Sequence, residues 1–241
     1  MNIKITGLIC LLMFHCQKGN NDTKTVNKDT INSENNKKEV KKTVMIANDS
    51  LKKNKEDNVF LTNENVMFFL ADYAQKHTEN KVRIETRFGN IDILLFNETK
   101  YHRANFIYLT QLNYFDNTQF FRVVPNFIIQ GGNSDDIKIT KKRSKIGRYL
   151  LPNDTKRGFK HHRGVVSMPS SDVENPHKMA SPYQFFIVQK KNGAYHLDGD
   201  YTIFGKVING MDVVDKIAAQ ETDSGEWPLV NIYMNKVYVI P

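Results

Sequence analysis

Beyond residue 60 the apolar residues come in short alternating runs bounded by turn residues, and this pattern most limits what the chain can fold into. Val82, Ile84 and Thr86 alternate with charged neighbours, Phe88-Gly89-Asn90 supplies turn chemistry, and Ile91, Ile93 and Leu95 alternate again, which predicts a hairpin. Further short strands are predicted over 120–124, 127–130, 165–168, 185–189 and 201–207, with a last one over 230–239. Helical spacing is rarer. Val66, Phe69, Leu70 and Tyr73 form an apolar stripe from Asn65 onward, Arg103 to Asn113 would bury Phe106, Leu109 and Leu112, and another helix spans Met211 to Ala219. Many short strands with few helices predict a mainly β fold with α: a closed antiparallel barrel under helical covers, preceded by a short extra helix.

The first sixty residues obey a different rule. Residues 17–60 hold ten Lys and nine Asn among 44 positions, with no sustained apolar periodicity. Such a segment cannot bury enough surface to offset its ordering entropy, so it reads as a disordered tether with an r.m.s. span of roughly 35–40 Å. Ahead of it, Lys4 precedes the mostly apolar run Ile5 to Phe14, which has the length of a signal-peptide core and is too short for a spanning helix of about twenty residues. Cys16 closes the run, and with Gln17-Lys18-Gly19-Asn20 after it resembles a bacterial lipoprotein signal cleaved before an acylated cysteine. Met13-Phe14-His15 departs from the usual box before that cysteine, and simple secretion and an uncleaved anchor are the alternatives. The expected organisation is a signal or lipoprotein segment over 1–16, a Lys/Asn-rich linker over 17–60 and a globular domain over 61–241. Such a protein would be exported to the cell envelope, with a membrane partner reached through lipidated Cys16.

Composition removes several function classes. A chain of 241 residues, 40% of them apolar, can build a core without staples. The only cysteines are Cys10 and Cys16, which excludes a disulfide framework, a Cys-rich zinc site and a thiol nucleophile in the body. Of 34 basic and 26 acidic side chains, 11 and 7 fall in residues 1–60, leaving 23 and 19 for the rest, so the body carries too weak a field to suggest a nucleic-acid partner. His161-His162 and His177 lack metal-ligand spacing and read as loop histidines, with no metal or other cofactor expected. The basic run Lys141, Lys142, Arg143, Lys145 and Arg148 reads as a solvated loop, with anionic lipid or acidic client binding as the alternative. No helix start with Lys-Ser/Thr follows Gly131-Gly132, so that pair reads as a tight backbone turn.

Four ordered segments carry more. Phe120-Phe121-Arg122-Val123-Val124-Pro125-Asn126-Phe127-Ile128-Ile129-Gln130-Gly131-Gly132 resembles the signature of cyclophilin-type peptidyl-prolyl isomerases. Gly164-Val165-Val166-Ser167-Met168, Gln184-Phe185-Phe186-Ile187, and Leu197-Asp198-Gly199 running on to Phe204-Gly205-Lys206-Val207 match the same family in order. The resemblance spans about residues 80–241 and implies an eight-stranded barrel capped by two helices, with the active site on its outer face. It assigns Arg122 the catalytic role, Phe127, Phe186 and Leu197 the proline pocket, and Gln130 and Gln184 the peptide backbone. Ile128 stands where the family commonly has Met, Pro169 and Ser170 where it has Ala and Asn, His196 where it has Trp, and Tyr201 where it has His. All five are expected at the substrate, and His196 removes the indole that in this family contacts cyclosporin.

The residues themselves support such chemistry. A prolyl bond resists rotation by about 18–20 kcal/mol and isomerises unaided over tens to hundreds of seconds. A catalyst therefore needs an apolar slot for the ring and a fixed donor that favours the twisted amide over the planar one. Arg122 supplies a permanently charged planar fork, Phe127, Ile128, Phe186 and Leu197 the slot, and Gln130 a brace for Arg122 or a contact to the peptide. Taken singly, Arg122 would be a strand arginine in a surface ion pair and the phenylalanines plain core. The expected partner is a proline-containing segment bound by a monomer, and the competing class is a chaperone or adaptor that grips such segments with little turnover.

Overall fold

The computed structural model describes residues 59–170 and 175–241. The predicted signal segment with Cys16, and the tether up to residue 58, lie outside the described residues. In chain order the elements are β1 (Leu61–Thr62), α1 (Val66–Lys76), β2 (Lys81–Thr86), β3 (Gly89–Leu95), α2 (Lys100–Gln111), β4 (Gln119–Val124), β5 (Ile128–Asn133) and α3 (Ile137–Ile146). There follow β6 (Gly147–Arg148), β7 (Val165–Met168), β8 (Phe185–Val188), a 3-10 turn (Tyr195–Leu197), β9 (Thr202–Asn209), α4 (Met211–Ala218) and β10 (Lys236–Val239). Eight strands form one antiparallel sheet in the order β10-β2-β3-β9-β7-β8-β5-β4, and β1 pairs with β6 in parallel apart from it.

The sheet curls without closing into the expected barrel, because its edge strands β10 and β4 are not ladder partners. The reason lies in residues 230–239, expected to be one strand. Ile232 and Met234 point into the core and Tyr233 out, as alternation demands, but only the bridge Gln119–Tyr233 forms there and the regular strand begins at Lys236. Backbone bonds from Asn117 to Met234, from Met234 to Thr118 and from Phe120 to Ile232, each 2.8 Å, satisfy the facing edge instead of a ladder.

Period-two alternation gives the sheet two apolar faces. Along β8, Phe185 and Ile187 enter the main core, whereas Phe186 and Val188 join a second cluster with Ile128, Val165, Ala194 and Ile203. In the main core Phe106 of α2 meets Phe185 edge-on at 5.4 Å and lies 5.4 Å from Phe204. Each such ring contributes about 1.5–3 kcal/mol by leaving water. Helix α2 is buried from His102 to Thr110, on every face and not only along the expected apolar positions; Leu112, expected inside, is only half-buried at its end. Arg103, from inside this helix, donates to the carbonyls of Ala74, His77 and Glu79 and so satisfies the otherwise open end of α1.

Two expectations need correction. The basic run is mostly helix, not loop: Asp136 caps α3 by accepting from the Lys138 amide at 2.7 Å, Ile139 and Ile146 anchor it seven residues apart, and Lys138, Lys141 and Lys145 face solvent. Gly131-Gly132 is not a turn but part of β5. Its glycines serve close approach, since a Cβ on Gly132, at φ +101°, would lie 2.3 Å from the Tyr183 carbonyl oxygen.

His102 is wholly buried and neither ring nitrogen has a partner among the described residues. Burial pulls its pKa down to about 4, and His161 is also shifted down, chiefly by burial. His102 is neutral in the fold and binds a proton in the unfolded chain once pH falls below about 6.5, so stability is full above that value and declines towards pH 4, and the shift of His161 acts in the same direction. Urea titrations across this range should show a loss of about 3 kcal/mol from His102. Replacing His102 by Leu should flatten most of that slope, and an equally steep profile in the variant would refute the assignment.

Candidate active site

Strand register builds the site. Arg122 on β4 is paired with Gln130 on β5, Gln130 with Phe186 on β8, and Phe186 with Ser167 on β7, so these residues form one transverse row across the sheet. Cross-strand neighbours share a face. Ile128, two residues from Gln130, falls on that face too and, like Phe186, is only 3% exposed, giving the cleft an apolar floor. The register of β4 against β5 shifts between Phe120 and Arg122, a bulge that brings Phe121 to the cleft beside Arg122 although strict alternation would put it on the opposite face.

The resulting cleft has a volume of about 640 Å³. Its wall is formed by Phe121, Arg122, Phe127, Ile128, Gln130, Pro169, Ser170, Gln184, Phe186, Leu197 and Tyr201. The structure thus brings together every residue the sequence placed at the site except His196, which is exposed and lies outside this wall, its ring 5.4 Å from that of Phe127 at an interplanar angle of 24°. Phe127 is presented by a turn in which Asn126 takes φ 57° and the Phe127 amide donates to the Val124 carbonyl. Gln130 Nε2 donates to Gln184 Oε1 at 3.1 Å, so the two amides are oriented by each other. Tyr201 stands edge-on to Phe186 at 5.8 Å.

Below the floor lies an arrangement the sequence reading did not contain. His161, read as a loop histidine, is indeed in a loop but wholly buried, its ring 6.0 Å from that of Phe186 and nearly parallel to it. Its Nδ1 lies 2.8 Å from Asp198 Oδ1, which also accepts from the His161 amide, and its Nε2 lies 3.2 Å from Ser167 Oγ. Desolvation is the largest single influence on the Asp198 carboxyl and pushes its pKa up, but the hydrogen bonds from His161 and Lys160 and the charge of Lys160 together outweigh it and hold the carboxyl below its ordinary range. The Asp-His-Ser order matches that of hydrolytic triads. Ser167 is fully buried and its hydroxyl donates to the Thr202 carbonyl, so no substrate can reach it. The network instead ties the Leu197 segment to the floor. Arg122 makes an ion pair with Glu226 at 2.6 Å, a contact that no sequence motif announced.

A family model described as cyclophilin type peptidyl-prolyl cis-trans isomerase/CLD matches residues 81–239. The chain belongs to this family. A peptidyl-prolyl cis-trans isomerase of Acinetobacter baylyi is 37% identical over 147 residues, 59% of this chain and 74% of that protein. The Arabidopsis thaliana peptidyl-prolyl cis-trans isomerase CYP18-1 is 36% identical over 160 residues, 66% of this chain and 94% of the relative. The crystal structure of a Cryptosporidium parvum cyclophilin, solved also in the presence of the dipeptide Ala-Pro, is similar with a TM-score of 0.56 and 28% identity, covering 68% of this chain and 98% of the other. In this cyclophilin the matched region begins at β2, so β1 and α1 precede it.

Replacing Asp198 by Ala removes the acceptor for both His161 donors and should cost about 1–3 kcal/mol. Hydrogen exchange should then accelerate at Leu197, Asp198 and Gly199 ahead of β8. Uniform acceleration across the domain would show that the network does not specifically hold this segment.

Proposed function

We infer that this cyclophilin accelerates rotation about Xaa-Pro bonds in exported or envelope proteins. The observation that carries the reading is the row Arg122, Gln130, Phe186: a cation at one end, an amide in the middle and a buried ring beside an apolar floor. A prolyl ring seated on Phe186 and Ile128, between Phe127 and Leu197, places its amide over Gln130 and within reach of Arg122. Conjugation is lost as the bond twists, and the prolyl nitrogen gains electron density and becomes an acceptor. The guanidinium then donates to that nitrogen, an interaction that the planar amide does not offer and the twisted one does, so it lowers the barrier without tightening ground-state binding equally. Gln130 and Gln184 hold the peptide backbone on either side, which lets the ring turn relative to a fixed chain. No bond breaks, and no step calls for a proton acceptor or a cofactor.

Turnover of a short Xaa-Pro peptide by the full chain tests this. Arg122→Ala should lower kcat/KM at least about tenfold, equivalent to about 1.4 kcal/mol of transition-state stabilisation, while peptide binding and the unfolding midpoint stay near those of the unchanged protein. A folded Arg122→Ala variant of unchanged rate would remove the mechanism, and an unchanged protein that binds without turnover would make the domain a proline-segment adaptor.

The envelope location is supported by the apolar run Ile5 to Phe14 ending at Cys16 and by the polar stretch after it. Stable attachment by acyl chains requires more than one of them, as on an acylated N-terminal cysteine carrying several. In a bacterial host, Cys16→Ser should move the protein out of the membrane fraction or leave its signal uncut, whereas Cys10→Ser should do neither. An unmodified mature N-terminus beyond Cys16, read by mass spectrometry, would replace anchoring by simple secretion.

A further inference from the structure

Arg122 reaches the cleft from a strand, but what aims it comes from elsewhere. Its Nε donates to Glu226 Oε2 at 2.6 Å, and its terminal amino groups have no hydrogen-bond partner among the described residues. Glu226 belongs to the loop between α4 and β10 and to none of the motifs that carry the family resemblance. We propose that Glu226 is a positioning residue for isomerisation, holding the Arg122 guanidinium by Nε so that its terminal amino groups are left for the substrate amide. This rests on the isomerase reading above and adds to it the group that sets the orientation of the arginine.

The carboxylate is placed by backbone, not by chance encounter of two long side chains. Glu226 takes the left-handed conformation, φ 65°, directly after Gly225, which does not. Its amide donates to the Asp223 carbonyl at 3.1 Å, and its own carbonyl accepts from the amide of Val123, the strand neighbour of Arg122, at 2.9 Å. Asp223 Oδ1 accepts from the amides of Gly225 and Trp227, and the Asp223 amide donates to the Trp227 carbonyl, which closes the loop on itself. On the other side, the Trp227 ring lies 5.7 Å from that of Phe121. Of the two sequence neighbours of Arg122, Val123 is therefore bonded to the Glu226 carbonyl and Phe121 faces the ring of the next residue, Trp227, so the ion pair closes between two held segments.

The pair is 35% and 42% exposed, so it contributes little to stability. Its effect is on orientation. A free arginine side chain samples many rotamers in water, and holding Nε removes most of them before the substrate arrives, leaving the geometry in which the fork can donate in the transition state. A guanidinium gripped instead at its terminal groups would have its donors blocked.

The test uses the full chain with Glu226→Ala, Glu226→Gln, Arg122→Ala and the double variant. Kinetic constants are measured on an Xaa-Pro peptide, and the Arg122 Nε–Hε group is followed by NMR. Glu226→Ala should lower kcat about fivefold with KM and the unfolding midpoint nearly unchanged, and Glu226→Gln, which keeps an acceptor, should recover most of that loss. In the Arg122→Ala background, removing Glu226 should have no further effect, because the two act as one unit. The Arg122 Nε–Hε group should be rigid in the unchanged protein and mobile in Glu226→Ala. The proposal is overturned by a kcat in Glu226→Ala within about twofold of the original, by an equal fractional loss when Arg122 is absent, or by an unaltered Nε–Hε signal. An inactive parent protein, or an Arg122→Ala variant as fast as the parent, would sink the isomerase reading itself and with it any role of Glu226 in turnover, while the NMR result would still report whether the clamp exists.

Discussion

The backbone register that joins β4, β5, β8 and β7 is the constraint on which everything else rests. A strand turns successive side chains to opposite faces, so the pairing that buries Phe185 against Phe106 in the core necessarily turns Phe186 outward to the cleft. A slip of one residue in β8 would exchange the two, opening the core and filling the cleft at once. Core packing and site geometry are thereby one requirement, and the energy of burying the inner rings also holds the outer row in place.

That sharing explains why the site can be assembled from side chains of ordinary chemistry. The floor is apolar, the amides of Gln130 and Gln184 satisfy each other, and the polar groups beneath are absorbed by Asp198, His161, Ser167 and the Thr202 carbonyl. Buried polar atoms left without partners would loosen the floor, and this network supplies the partners. The cation at the end of the row is the exposed component, and its orientation depends on a loop that arrives late in the chain and is stitched to β4 through Val123.

Much of this was legible beforehand because it is local. The alternation in residues 82–95 anticipated β2 and β3, helical spacing anticipated α1 and α4, and a contiguous motif carried Arg122, Phe127, Ile128 and Gln130 together. The failures have equally definite causes. Helix α3 carries only two buried residues, Ile139 and Ile146, among its lysines, too sparse an apolar stripe to show a helical period despite the Asp136 cap. Gly131-Gly132 suggests a turn because glycine permits one, whereas the need here is room for the Tyr183 carbonyl. Phe121 reaches the cleft through a bulge, which no periodicity announces.

The sequence by itself determined most of the short strands, helices α1, α2 and α4 and most of the residues that line the cleft, because strand and helix periods and a contiguous motif are written in neighbouring positions. Tertiary structure alone decided that the sheet stays open between β4 and β10, that His161 is buried against Asp198, and that Glu226 meets Arg122 across 104 positions of chain. Those outcomes depend on which loop comes to rest beside which strand. A loop has no repeating pattern to encode its register, so its partners are chosen only when the packed sheet leaves it a single place to lie.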